Sequence, residues 1–136
     1  MREILFRGKR LDNGEWVEGW YDMYQFWRWP VKTSIIPSEE AKDGHYEHVQ
    51  VDTSTVGQYI GLNDKNGKRI FEGDIIKRFW LGAEIIYCVR YDGENAHFIG
   101  EELNKSGFTT FDGDGEMFEV IGNIHDKPEF LKGGEG

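Results

Sequence analysis

Residues 61–76 read GLNDKNGKRIFEGDII, with turn-forming residues in two clusters and apolar residues directly after each. Asn66-Gly67 is the strongest short hairpin signal, because both central positions of a type I′ turn need positive φ. Gly73 before Asp74 lets the chain reverse again, and the Asp74 carboxylate is placed to accept backbone N–H groups and fix that turn. Ile70, Phe71, Ile75 and Ile76 then read as core. The stretch is a corner of a sheet, with its chemistry committed to shape.

On the C-terminal side, DIIKRFW (74–80) and EIIYCVRYD (84–92) are the clearest strands, and the linking LGA (81–83) suits a hairpin with a glycine bulge. NAHFIG (95–100) is a weaker strand, FTTFDGDGE (108–116) is turn-rich, and MFEVIGNIHD (117–126) holds a closing strand. Before the corner, VGQYIGL (56–62) continues the strand-like alternation of HVQVDTSTV (48–56). At the start, EILFRGKR and EWVEGWY flank LDNG (11–14) as the arms of a hairpin. Many short antiparallel strands with frequent turns predict a mainly β chain, a small antiparallel SH3-like barrel with an N-terminal hairpin packed on it. The divisions expected within one domain, 1–136, are the hairpin (1–22), a variable insertion (22–55), the barrel (56–126) and a C-terminal docking segment (127–136).

Composition narrows the function classes. The aromatic share of 15% can furnish a core of large rings, so the chain is not a disordered segment despite a mean hydropathy of -0.62. No apolar run reaches the ~20 residues of a membrane-spanning helix. Arg2, Arg7, Lys9 and Arg10 interrupt any secretory signal, and a lone cysteine makes no internal disulfide, so the expected compartment is the cytoplasm. The net charge of -9 is concentrated after residue 90, where three lysines face eleven carboxylates. That balance disfavours nucleic acid as a partner of the whole surface.

The motifs Val56-Gly57-Gln58, Gly61-Leu62, Asp64, Asn66-Gly67, Glu72-Gly73-Asp74 and Val120-Ile121-Gly122-Asn123, with REILFRGKR at the start, resemble the YopX-like family of phage and prophage proteins. The likeness spans almost the whole chain, leaving mainly 22–50 and 100–115 outside it. It implies a small β-rich phage accessory protein in the cytoplasm of a bacterial host, and brings no activity, cofactor or ligand for named residues. One departure is Gly8-Lys9, where the resemblance implies an Ala-Trp pair; Trp16 or Trp20 is then the replacement aromatic.

Two clusters are candidate sites. Lys65, Lys68, Arg69, Lys77 and Arg78, with Trp80, form a basic and aromatic stretch able to hold single-stranded nucleic acid through backbone charge and base stacking. Strand alternation turns half of those side chains away. Trp20, Tyr24, Phe26, Trp27, Arg28 and Trp29 are more large side chains than a hairpin and its neighbouring loop bury, and so suit a protein partner or a second copy. Catalysis and metal binding find no motif. Aligning Gly67 to the sixth position of a calcium loop puts Leu62 and Gly73 at ligand positions, and DGDGE (112–116) fits no frame. His45, His48, His97 and His125 have no zinc spacing, and Cys88 in IIYCVRY reads as a small hydrophobe. The sequence reading is a non-enzymatic protein without cofactor, acting through protein contacts or self-association, with nucleic-acid binding by 65–80 as the alternative.

Overall fold

The computed structural model describes residues 3–24, 32–37, 48–113 and 115–132. Among them the chain is mainly β, in two antiparallel sheets, with 3-10 turns at Thr53–Thr55 and Pro128–Lys132. No helix of the described residues is long and apolar enough to cross a membrane. The chain divides into two compact units, residues 1–59 and 60–136.

In the N-terminal unit, β1 (Phe6–Lys9) and β2 (Trp16–Tyr24) form the expected hairpin. β2 is long enough to pair next with β3 (Lys32–Pro37), which pairs with β4 (Val49–Gln50). The expected insertion thus contributes two strands: β4 falls in the alternating stretch 48–56, while β3 was concealed by the flanking prolines and the absence of clear alternation. The strand expected through 48–56 stops early. After a bridge at Val51, the Asp52 side chain accepts the Ser54 N–H and starts the 3-10 turn. Leu5, Ile35, Val49, Val51 and Tyr59 are buried here. Trp16 lies opposite Lys9 with the Arg7 guanidinium 4.6 Å and the Lys9 ammonium 5.5 Å from its ring centroid, and Phe6 meets Tyr21 across the same hairpin at 5.3 Å. β5 (Gly57–Asn63) pairs with β1 at its start.

In the C-terminal unit, β5 continues to β6 (Arg69–Phe71), beside a five-stranded ladder of order β10-β9-β8-β7-β11. These strands are β7 (Asp74–Trp80), β8 (Ala83–Asp92), β9 (His97–Glu102), β10 (Phe108–Thr110) and β11 (Glu119–Asn123). The ladder ends at β10 on one side and β11 on the other, so the barrel expected over 56–126 does not close. Part of the reason is that β5 spends its first residues on β1. FTT, expected as turn, forms β10 because it pairs antiparallel with β9. The core is Ile60, Ile70, Ile76, Tyr87, Val89 and Phe118, with Leu62, Ile85, Phe98, Phe111 and Val120 against it. Phe118 sits edge-on to Tyr87 and Phe111, at centroid distances of 6.3 and 5.3 Å. Below the ladder's end, Phe130 reaches Gly122, where an added Cβ would lie 3.2 Å from its ring.

Candidate functional site

The corner itself is built from backbone groups. Asp64 is buried, and its Oδ1 accepts the N–H groups of Asn66 and Lys68 while Oδ2 accepts that of Val120, each at 2.9 Å. Burial pushes its carboxyl up, but these three donors, with Lys68 nearby, outweigh that and hold it below the ordinary carboxylate value. Gly67 is at φ +80 whereas Asn66 keeps negative φ. The Gly67 N–H donates to the Asp64 carbonyl and the Asp64 N–H to that of Lys68. This is a three-residue loop with a glycine bulge, not the expected type I′ turn, because the Asp64 carboxylate organises the loop from its first residue. At the second bend Asp74 Oδ2 accepts the Phe71 N–H at 2.8 Å, and Gly73 is at φ +88. All of these side chains are occupied in holding the turn.

The exposed chemistry lies at the far end of β7. Trp80 pairs with Ala83, leaving Leu81-Gly82 as a two-residue loop with φ +50 and +80. Positive φ at both positions is the requirement of a type I′ turn, so the mirror-image turn expected at Asn66-Gly67 is here, in place of the expected bulge. A leucine takes the position that asparagine or glycine fills without strain. Leu81 is 90% exposed, Phe79 72% and Trp80 54%, three consecutive large apolar residues at the tip. Period-two alternation puts Arg78 and Trp80 on one face with Ile76, and Lys77 and Phe79 on the other. The Arg78 guanidinium lies 5.2 Å from the Trp80 centroid, 5.6 Å from Tyr87 and 5.8 Å from Phe118.

Two cations of the basic stretch are engaged by carboxylates. Lys65 and Lys77 both approach Glu119, at 3.2 and 3.7 Å, and Lys77 also meets Glu84 at 3.1 Å. Those carboxylates hold the Lys77 ammonium above its usual value, Glu84 most strongly. Lys68 in the β5–β6 loop and Arg69 at the start of β6 are exposed. Of the N-terminal aromatic cluster, Trp20 is 46% exposed in β2 opposite Ile36, and Tyr24 ends that strand. Phe26, Trp27, Arg28 and Trp29 lie outside the described residues.

Cys88 is partly buried, and burial, with Glu101 and Asp74 nearby, pushes its thiol up to about 11. A thiol so placed stays protonated at neutral pH. His97 lies 3.5 Å from Asp92 and His48 3.4 Å from Asp22, both pairs on the surface. Among the described residues no group of three or more His, Cys, Asp or Glu is placed to hold a metal ion. Trp80 was a candidate from the sequence, as a stacking residue, whereas the exposed Leu81 beside it and Met117 beside Arg78 were missed. Their signal was an apolar residue at the apex of a predicted hairpin.

A family model described as YopX protein matches residues 5–132. No curated protein matches the chain. Among solved structures, the crystal structure of protein EF1440 from Enterococcus faecalis is similar over 96% of this chain and 99% of that one, at 25% identity and a TM-score of 0.49.

Proposed function

This chain belongs to the YopX family, and on that premise we propose that it is a non-enzymatic phage or prophage accessory protein. It works in the cytoplasm of a bacterial host by protein–protein contact or self-association, and the β7–β8 tip is the contact surface. One observation carries this reading: Phe79, Trp80 and Leu81 are consecutive and exposed, and Leu81 holds a strained backbone. Exposing a large aliphatic side chain and forcing it to positive φ are two separate costs, and neither is recovered within the chain. Contact with another protein recovers both. Aromatic side chains at an exposed centre are also what binding hot spots use.

Affinity capture from host lysate with the wild type, Trp80→Ala and Leu81→Asn tests the reading. Both variants are expected to lose the proteins that the wild type retains. Equal recovery by all three sinks it.

Nucleic-acid binding through Lys65, Lys68, Arg69, Lys77, Arg78 and Trp80 is the alternative, and the stacking of Arg78 on the half-exposed Trp80 is what favours it. The net charge of -9 and the engagement of Lys65 and Lys77 by Glu119 weigh against it.

A further inference from the structure

Met117 and Arg78 are an unusual pair. Met117 is 54% exposed, in the turn just before β11, so its side chain is open to a small oxidant in water. Among the described residues the Arg78 guanidinium has one hydrogen-bond acceptor, the Met117 thioether, 3.6 Å from Nη1, while its Nε is buried with no partner. A guanidinium carries five N–H donors and a thioether is a weak acceptor, so the two are poorly matched. The rings of Trp80, Tyr87 and Phe118, 5.2, 5.6 and 5.8 Å away, keep the guanidinium in place beside the sulfur. The contact joins positions 39 residues apart, in β7 and in the turn before β11.

Hydrogen peroxide oxidises a thioether in one step. The sulfur lone pair attacks one peroxide oxygen, the O–O bond breaks, and an S–O bond forms. The other oxygen leaves as hydroxide and takes the proton of the first to become water. Sulfur loses two electrons and the peroxide gains them. Oxidation usually disrupts a methionine contact, because an apolar side chain becomes polar. Here the group that already meets the sulfur is a donor short of acceptors. A sulfoxide oxygen projects from that sulfur by one bond, and the rotatable side chain can turn it to Nη1. The new hydrogen bond has a charged donor, which makes it one of the stronger kind. We propose that Met117 is a site of oxidation by peroxide and that Arg78 takes the sulfoxide oxygen. The modification then tightens the link between β7 and the turn before β11. This goes beyond the reading of the tip as a protein-contact surface and does not depend on it.

The test treats the full chain with hydrogen peroxide at neutral pH, locates the added oxygen by peptide mass mapping, and follows thermal unfolding. Met117 is expected to gain one oxygen while the protein is folded, at a rate within about threefold of that in the urea-unfolded chain. Oxidation is expected to raise the wild-type midpoint by about 2–4 °C relative to the change it causes in Met117→Leu, a comparison that subtracts Met1 and Met23. In Arg78→Leu that rise is expected to vanish. A midpoint that falls or stays put when Met117 is oxidised overturns the proposal. So does a rise that survives undiminished in Arg78→Leu, or a Met117 that stays unoxidised in the folded chain. If Arg78→Leu does not fold, Met117→Gln takes its place, because its amide oxygen is a strong acceptor without any peroxide. Untreated Met117→Gln is expected to unfold at a higher temperature than untreated Met117→Leu, and equal midpoints overturn the proposal.

Discussion

Asp64 does the most at the residue scale, because one carboxylate ties a loop to a strand 56 residues later. Asp64→Ala leaves three backbone donors short of an acceptor, and is expected to cost about 3 kcal/mol in urea unfolding. Its carboxyl is depressed in the folded state. Its charge-dependent stabilisation is therefore complete above the unfolded value near 3.9, and is lost as pH falls through the lower folded value. The stability difference between wild type and Asp64→Asn is expected to shrink below about pH 4, when urea midpoints are measured across pH. Gly73 is the other demanding position: alanine there adds a methyl 3.2 Å from His125 Nε2 at φ +88. Gly73→Ala is expected to lower stability by about 1–2 kcal/mol. Leu81→Asn runs the other way. Relieving a leucine at φ +50 is expected to raise stability by about 1 kcal/mol in the same assay, even as it removes binding. A residue kept at a stability cost is the pattern expected of a contact surface.

At the scale of elements, the β7–β8 hairpin joins the deepest part of the C-terminal unit to its most exposed part. Ile75 and Ile76 at one end are fully buried, and Phe79 and Trp80 at the other stand free of the core. Hydrogen exchange is expected to follow that gradient, with amides from Ile75 to Lys77 and their β8 partners at least about tenfold slower than those of edge strand β10. Uniform protection along the ladder would contradict it. Strands with dense β-branched and aromatic residues, DIIKRFW and EIIYCVRYD, were legible in the sequence because local pattern suffices to specify them. β3 and β10 were not. These are strands of six and three residues whose stability comes from a neighbour that local sequence does not name. The turn types exchanged places for a related reason: Asn-Gly permits a type I′ turn without requiring it, and the Asp64 carboxylate selected another loop.

For the whole molecule, the aromatic content matters more than the charge. Phe118 is almost fully buried between Tyr87 and Phe111, and Phe118→Ala is expected to cost about 3–5 kcal/mol by thermal or urea unfolding. The net charge of -9 makes a different prediction: a labelled single-stranded oligonucleotide is expected to show no retardation at about 0.15 M salt. Salt-sensitive retardation that Lys68 and Arg69 substitutions remove would instead favour the alternative function. The sequence by itself determined the class, mainly β, the family, and the placing of the corner at residues 61–76, since those follow from residue type and spacing along the chain. Tertiary structure decided that the sheet stays open, that Lys65 and Lys77 converge on Glu119, and that Arg78 lies among rings with no carboxylate against it among the described residues. Each of these depends on which strand lies beside which, and pairing across tens of residues is set by the competition of whole edges for partners rather than by any local run of side chains.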